Sequence, residues 1–255
     1  MNVNLDEILG IIPARYYSTR LEGKPLLKIG GKTMIEHVYK ACEKKLPNLI
    51  VATDDERIVD EVYSFKGNVV LTSKDHENGT TRCLEAYQMW SNKLSPQTKY
   101  ILNIQGDEPL LSQNHLDKLI NCFKDKETSI ATLACETTVN DNLEEGKVYL
   151  TKDINNFALY FSRFPIPFLR DVSKKDWTMN NKYYQHIGIY GYTVSALKMF
   201  CAMKSSKLEN NEKLEQLRWL EAGYKIKVGI TKIPSYPVDN KDDLEKVRLL
   251  FKSQN

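Results

Sequence analysis

Short apolar runs alternate with helix-like segments in the first half of the chain. The apolar runs predict strands at 8–12, 49–53, 69–72, 100–104 and 129–134. Apolar residues recurring at helical spacing predict helices at 34–43, 56–65, 84–90 and 116–123. This order is typical of βαβ units, in which right-handed crossovers join parallel strands. The pattern therefore predicts an α/β fold with a mainly parallel central sheet.

The second half of the chain is less regular. A hairpin and two further strands are predicted at 147–150 with 157–161, at 186–192 and at 225–230. Helices are predicted at 196–203, 212–222 and 242–251, with Gly223 ending the second and Asp239 or Asn240 capping the third. The polar segment 171–182 predicts an exposed excursion. We therefore expect a single domain, 1–255, with an inserted subregion at about 135–235.

Composition excludes several classes of protein. The chain has 36 basic and 33 acidic residues, a balance that argues against a general nucleic-acid binder. No apolar run is long enough for a membrane span, and the first residues lack the pattern of a signal peptide. The five cysteines are scattered without C-x-x-C spacing, so we expect reduced thiols in a cytoplasmic protein and no zinc site.

The loop after the first strand is rich in groups that bind polyphosphates. It follows Pro13 and contains Arg15, Ser18, Thr19 and Lys24. Loop N–H groups and cations together neutralise phosphate, and open α/β sheets bind nucleotides at the carboxyl ends of their strands. Neither the Walker loop nor the dinucleotide fingerprint is present. The alternative is an ordinary strand–helix connection with solvated charges.

A second signal is the sequence Gln-Gly-Asp-Glu-Pro at 105–109, which ends a predicted strand. A carboxylate there, Asp107, is suited to holding Mg²⁺ against a nucleoside triphosphate. Gln105 offers a donor and an acceptor, which suits the edge of a base. Alternatively, Asp107 caps the helix near Gln113. Asp239 either completes the metal site or caps the last helix.

Two segments near predicted helix starts have competing interpretations. Asp54 and Asp55 follow a strand, and we interpret both as caps of the next helix. Arg82 is expected one turn into a helix, where anion binding and simple capping are equally compatible with the pattern.

Three residues in the second half are ambiguous for similar reasons. His186 lies in a predicted strand, where a lone histidine is more often structural than catalytic. Glu215 and Gln216 lie beside the apolar stripe of a predicted helix, where they could bind a ligand or be solvated.

Seven short motifs in this order resemble the 3-deoxy-manno-octulosonate (Kdo) cytidylyltransferases. They are Ile-Pro-Ala-Arg-x-x-Ser-Thr-Arg-Leu-x-Gly-Lys-Pro-Leu, Val-Ala-Thr-Asp-Asp, Gly-Thr-x-Arg, Gln-Gly-Asp-Glu-Pro, Ala-Leu-Tyr-Phe-Ser-Arg, His-Ile-Gly-Ile-Tyr-Gly-Tyr and Lys-Leu-Glu-Gln-Leu-Arg. The resemblance covers about residues 8–250. It implies a Rossmann-like nucleotidyltransferase fold whose insertion binds sugar and helps form a homodimer. The implied reaction converts CTP and Kdo to CMP-Kdo and pyrophosphate with Mg²⁺, for lipopolysaccharide synthesis.

The resemblance also implies roles for individual residues. Those implied for the nucleotide are Arg15, Ser18, Thr19, Lys24, Arg82 and Gln105. Those implied for Mg²⁺ are Asp107 and Asp239, which with Arg15 and Lys24 form the implied catalytic set. Those implied for the acid sugar are Arg163, His186, Tyr190, Glu215 and Gln216.

The chain departs from the family pattern around Asp239, where Pro237-Val238-Asp239-Asn240-Lys241 stands in place of Val-Asp-Thr-Pro. This departure motivates one of three alternative functions, the silent subunit. The three are the same reaction on 8-amino-Kdo or a related acid sugar, a catalytically silent nucleotide-binding subunit, and a glycosyltransferase on a similar fold.

Overall fold

The computed structural model describes residues 3–18, 20–94, 97–139 and 142–254. The strands are β1 (Ile8–Ala14), β2 (Lys28–Ile29), β3 (Lys32–Thr33), β4 (Leu49–Thr53), β5 (Val69–Leu71), β6 (Tyr100–Asn103), β7 (Ile130–Glu136), β8 (Tyr149–Lys152), β9 (Ala158–Ser162), β10 (Tyr184–Thr193) and β11 (Lys227–Thr231). The α-helices are α1 (Met34–Glu43), α2 (Glu56–Ser64), α3 (Gly79–Trp90), α4 (Gln113–Cys122), α5 (Trp177–Asn180), α6 (Val194–Ala202), α7 (Lys207–Glu212), α8 (Gln216–Glu221) and α9 (Lys241–Gln254). Short 3₁₀ turns occupy Leu5–Glu7, Lys24–Leu26, Ser91–Lys93 and Lys174–Asp176.

One nine-stranded sheet organises the chain. Its main path runs β11–β7–β10–β6–β1–β4–β5, and the β8–β9 hairpin joins it through β10. Strands β6, β1, β4 and β5 are mutually parallel, and β11 is parallel to β7. Strand β10 is antiparallel to both of its neighbours on the main path. The predicted α/β class and mainly parallel sheet are confirmed.

The sheet is buried on both faces because its central strands carry apolar residues at nearly every position. In β1, Ile8 and Ile12 pack into one apolar cluster, while Leu9 and Ile11 pack into another on the opposite face. Helices α1, α2 and α4 contribute to the first cluster, and α3, α6 and α8 to the second. Burial on both sides explains why these strands are continuous apolar runs rather than alternating ones.

Side-chain caps fix where several helices begin. Thr33, Asp55, Asn78 and Ser112 each accept a hydrogen bond from a backbone N–H of the first turn of α1, α2, α3 and α4. Helix α3 therefore begins at Gly79, five residues before the predicted start. Because Ser112 caps α4, the alternative in which Asp107 caps that helix is wrong.

The last two predicted helix ends are confirmed. Gly223 follows α8 with a φ of 83°, the left-handed conformation that terminates a helix. Asn240 accepts a hydrogen bond from the N–H of Asp243 at 2.9 Å, so Asn240 rather than Asp239 caps α9. The side chain of Asp239 is thereby left for the cleft described below.

Two predictions in the second half need correction. The helix predicted at 212–222 is interrupted, because Lys213 adopts a φ of 54° between α7 and α8. Segment 171–182 is not simply an exposed excursion, since Trp177 is buried and its ring stacks on that of Tyr183. That indole anchors the segment against the β8 side of the sheet, where Tyr149 joins the same apolar cluster.

None of the helices within the described ranges has the length and apolar character needed to cross a membrane.

An ion pair joins the two helices on either side of the Lys213 break. Arg218 donates to both carboxylate oxygens of Glu209, at 2.7 and 2.5 Å, and to the carbonyl of Met203 at 3.2 Å. Both side chains are largely buried. Two parallel charge-assisted bonds fix the relative orientation of α7 and α8.

We predict that Arg218→Met lowers the free energy of unfolding by about 3 kcal/mol, because it leaves the Glu209 carboxylate buried without its partner. Urea unfolding followed by circular dichroism measures the change. Lys225→Met is the matched control, since the pair between Lys225 and Glu127 is exposed and 3.9 Å long, and it should cost less than about 0.5 kcal/mol. Equal effects of the two substitutions would contradict this role for Arg218.

Candidate active site

A polar cleft opens at the carboxyl ends of β1 and β6 and beside the first turn of α3. Its volume is about 260 Å³. The lining residues are Pro13, Ala14, Arg15, Ser18, Arg20, Lys24, Pro25, His76, Glu77, Asn78, Gly79, Arg82, Gln105, Gly106, Asp107 and Asp239. Seven residues predicted for nucleotide or metal binding from the sequence thus line one cleft, at the sheet edge where α/β folds bind ligands.

Lys24, Asp107 and Asp239 converge at one end of this cleft. The Lys24 ammonium lies 2.6 Å from Asp107 Oδ2 and 3.6 Å from Asp239 Oδ1. Arg20 lies 3.3 Å from the same oxygen of Asp239. Two carboxylates distant in the sequence therefore face one positive charge, which is an arrangement that also suits a divalent cation.

Backbone contacts explain why these three segments meet. The N–H of Val238 donates to the carbonyl of Asp107 at 2.9 Å, which aligns the Asp239 segment with the end of β6. A Cβ at Gly106 would lie 3.0 Å from the carbonyl oxygen of Pro13, so this position brings the β6 turn close to β1. Gly23 has a φ of 64°, a conformation that favours glycine, directly before Lys24.

Side-chain contacts within the loop and with α2 order the loop after β1. The Ser18 hydroxyl donates to the carbonyl of Leu21 at 2.6 Å and accepts from its N–H. The guanidinium of Arg57 lies over the ring of Tyr16, 3.3 Å from the centroid. Arg15 is exposed in the cleft. Thr19, the remaining predicted residue of this loop, lies outside the described residues.

Glu108 is a buried acid directly after Asp107. It accepts a hydrogen bond from the hydroxyl of Ser235, on the segment that leads to Asp239. Burial is the main cause that raises the pKa of Glu108, to about 7, and the nearby Asp107 and Asp239 carboxylates also raise it. The bond joins the turn after β6 to the segment of Asp239.

Arg82 is held by protein groups as well as lining the cleft. Its guanidinium donates to Asp54 at 2.7 Å and to the Thr72 hydroxyl at 2.6 Å. Asp55 alone caps α2, so the interpretation of Asp54 as a second cap is wrong. Asp54 instead fixes a buried cation at the cleft wall, a partnership that no local spacing in the sequence indicates.

Four residues predicted for the acid sugar, here called the second polar group, lie on β10 (His186 and Tyr190) and at the start of α8 (Glu215 and Gln216). The rings of His186 and Tyr190 lie 5.5 Å apart, although four residues of an extended strand span roughly 13 Å. The register of β10 against β7 shifts between Ile187 and Tyr190, which shortens the path. The bulge thus places two rings of one strand side by side.

Thr132 fills the bulge and sets the state of His186. Its hydroxyl donates to the carbonyl of Ile189 at 2.8 Å and lies 2.9 Å from His186 Nε2. Because a hydroxyl has one proton, His186 Nε2 is the donor of the second bond, and Nδ1 is then the acceptor of a neutral ring. Burial lowers the pKa of His186 to about 3, so the ring is neutral at physiological pH.

Glu215 and Gln216 have side-chain atoms without partners. Glu215 Oε1 accepts from the Thr80 hydroxyl at 2.6 Å, whereas Glu215 Oε2 and Gln216 Nε2 are buried and have no hydrogen-bond partner in the described structure. Burial raises the pKa of Glu215. A buried polar atom without a partner costs about 1–3 kcal/mol. Such an acceptor and donor, one residue apart, are suited to a hydroxylated ligand.

Arg163 lies apart from the cleft and from the second group's bonds. Its exposed side chain donates to the carbonyls of Glu212, Gly146 and Lys213, at 2.7, 3.1 and 3.2 Å. It thereby holds the end of α7 to the region before β8. Its role in binding the acid sugar stays a prediction.

The described residues include no cluster of three or more His, Cys, Asp or Glu side chains placed to hold a metal. Asp107 and Asp239 are an oxygen pair of the kind that Mg²⁺ uses together with water and substrate phosphates. The residues present therefore fit a cation completed by the substrate rather than one enclosed by protein.

Comparison with known proteins gives a consistent result. The model of the cytidylyltransferase family matches residues 9–226. A protein of Bacteroides thetaiotaomicron named 3-deoxy-manno-octulosonate cytidylyltransferase is 46% identical, with 98% of this chain and 100% of that protein covered. A Shewanella protein named 8-amino-3,8-dideoxy-manno-octulosonate cytidylyltransferase is 42% identical, with 94% and 96% covered.

Among solved structures, the chain is similar to a CMP:2-keto-3-deoxy-manno-octonic acid synthetase complexed with CTP. The TM-score is 0.87 and the identity is 35%, and the alignment covers 97% of this chain and 99% of that one.

Proposed function

This chain belongs to the 3-deoxy-manno-octulosonate cytidylyltransferase family, and on that premise we propose that it transfers CMP from CTP to Kdo and releases pyrophosphate. The observation that carries the proposal is the convergence of Lys24, Asp107 and Asp239 in a cleft lined by the loop after β1. The cations of this cleft are suited to binding a polyphosphate. The unpaired polar atoms Glu215 Oε2 and Gln216 Nε2 are suited to binding an acid sugar.

The nucleotide is assigned to the cleft. Arg15 and Lys24 are the cations proposed for the triphosphate, with Ser18 and Thr19 in the same loop. Arg82 and Gln105 are proposed to position the cytidine. Arg82 is buried and already bonded to Asp54, so we expect it to act as a fixed wall of the cleft rather than as a mobile counter-ion.

Asp107 and Asp239 are proposed to hold Mg²⁺. When bound there, the metal supplies Lewis acidity and neutralises phosphate charge. The Lys24 ammonium, in contact with both carboxylates, adds a fixed positive charge at the same end of the cleft. Because pyrophosphate leaves with several negative charges, preorganised cations here favour the transition state.

The acid sugar is assigned to His186, Tyr190, Glu215 and Gln216. The open Glu215 Oε2 accepts a sugar hydroxyl, and the open Gln216 Nε2 donates to a sugar oxygen. The anomeric hydroxyl of the sugar then displaces pyrophosphate from the α-phosphorus in line. Arg163, proposed from the family to pair with the sugar carboxylate, donates to three backbone carbonyls, and these bonds use three of its five N–H donors.

The relative from Shewanella supports a second acceptor. Its printed name specifies the 8-amino sugar, and its identity to this chain, 42%, is close to the 46% of the Bacteroides protein. We therefore propose Kdo as the substrate and 8-amino-Kdo as the alternative. Either product is an activated sugar for lipopolysaccharide synthesis, and we assign the enzyme to the cytoplasm, in keeping with the thiols of Cys42, Cys83, Cys122 and Cys201.

Pyrophosphate release tests the function directly. We expect release with CTP and Kdo in Mg²⁺, at least about 10-fold slower release with ATP, GTP or UTP, and loss of release when excess EDTA removes the metal. Running Kdo and 8-amino-Kdo side by side identifies the acceptor. Failure of both acids to support release would reject the transferase and favour the silent nucleotide-binding subunit.

Asp107→Asn should lower kcat by at least about 100-fold, because it removes the carboxylate proposed for the metal. Thermal unfolding should stay within a few degrees of the parent protein. Asp117→Asn is the control, since Asp117 is an exposed carboxylate of α4 that pairs with Lys45 outside the cleft. Near-normal turnover of Asp107→Asn in Mg²⁺ would contradict the metal assignment.

We also propose that two copies associate through the insertion. Several large apolar side chains between β7 and β10 are exposed, namely Val139, Ile154, Leu159, Phe164, Phe168 and Met179. These six residues lie within 139–179, and exposed apolar side chains that share a surface are typical of protein interfaces. Sedimentation equilibrium at micromolar concentration should give the mass of two chains, and a mass of one chain would refute the homodimer.

A further inference from the structure

Thr80 links the first turn of α3 to the acid-sugar group. Its side chain is fully buried, and its hydroxyl donates to Glu215 Oε1 at 2.6 Å. It is the only hydrogen-bond partner of the Glu215 carboxylate among the described residues. The neighbouring Gly79 and Asn78 line the nucleotide cleft. One helical turn therefore contacts both substrate regions.

Hydrogen bonds lead from the cleft wall through Thr80 to Glu215, and the buried side chain of Tyr192 also bonds Thr80. Gln105 Nε2 donates to Asn103 Oδ1 at 3.3 Å, and Asn103 Nδ2 donates to the Thr80 hydroxyl oxygen at 3.5 Å. The Thr80 hydroxyl has a single proton, and it donates that proton in the bond to Glu215. This series of bonds begins at the cleft wall and ends at the Glu215 carboxylate, and its one short bond is the 2.6 Å bond from Thr80 to Glu215.

The bond from Thr80 uses only one of the two oxygens of the Glu215 carboxylate. Glu215 Oε1 is satisfied by Thr80, so the second oxygen has a defined orientation and no partner. Gln216 Nε2, one residue away, also has no partner among the described residues. Without the hydroxyl, both carboxylate oxygens would be buried and unsatisfied. The side chain would then rotate or bind a proton, since a buried charge without hydrogen bonds is unfavourable.

We propose that Thr80 is a positioning residue for the acid sugar, holding Glu215 so that Glu215 Oε2 meets the substrate. The inference rests on the proposed function and adds to it a residue that does not itself touch the sugar. The hydroxyl of Thr80 is the group that matters. A methyl group in its place, as in valine, would fill the same buried space but could not hydrogen-bond to Glu215.

Two pairs of variants isolate the hydroxyl. The parent Thr80 and Thr80→Val differ in the hydroxyl and keep the branched shape, while Thr80→Ser and Thr80→Ala differ in the hydroxyl and both lack the methyl group. Thr128→Val is the matched control, since Thr128 is also buried but its hydroxyl has no partner among the described residues.

The measurements are steady-state KM values for Kdo and for CTP, with CTP affinity from calorimetry in the absence of sugar. Removal of the hydroxyl should raise the KM for Kdo about 10-fold or more in each pair. KM and Kd for CTP should change by less than about twofold, and Thr128→Val should change neither. A purely structural role would weaken both substrates together.

An unchanged KM for Kdo in Thr80→Ala relative to Thr80→Ser would overturn the proposal, as would equal increases for CTP and Kdo. If Thr80→Val does not fold, the Ser and Ala pair decides the question alone. The parent protein in the same assay separates the two ideas: no pyrophosphate from the parent rejects the proposed function, whereas a parent that turns over while the variants match it rejects only the role of Thr80.

Discussion

The contact of one ammonium group with two carboxylates organises the cleft. Lys24 comes from the loop after β1, Asp107 from the turn after β6 and Asp239 from the segment before α9. Two carboxylates at one point repel each other, and the attraction of Lys24 offsets that repulsion. The backbone bond between Val238 and Asp107 keeps the segments in register. The remaining features of the cleft are arranged around this point.

The fold could largely be predicted from the sequence because strand and helix periods are clear wherever burial is complete. Helix α1 and strand β4 have the predicted bounds, since an apolar pattern and a cap or turn coincide there. Prediction was wrong where tertiary contacts decide the backbone. The break at Lys213 follows no local signal, and Trp177 is buried only because the rings of the insertion pack on it. The division into a core and an inserted subregion stays a prediction.

The sequence predicted more of the residues that meet in the cleft than of the contacts that build the second polar group. Motif residues of β1 and β6 reach the same place because the carboxyl ends of parallel strands share an edge. The partnership of Asp54 with Arg82 and the role of Thr132 in the bulge depend on side chains from separate elements. The spacing of residues along the chain does not predict contacts of this kind. Arg163 shows the reverse case, in which a motif residue lies at the motif position but its guanidinium holds backbone carbonyls.

Strand β10 has a consequence for how the molecule can deform. Its outer end pairs with β8 and its inner end with β6, and β7 runs along both parts. The region that carries the exposed apolar side chains is therefore joined to the main sheet through strand pairing on both sides of the bulge in β10. Rotation of one part against the other would shear the ladder next to His186. Hinge bending of the kind that closes two-lobed enzymes is thus mechanically costly at this joint.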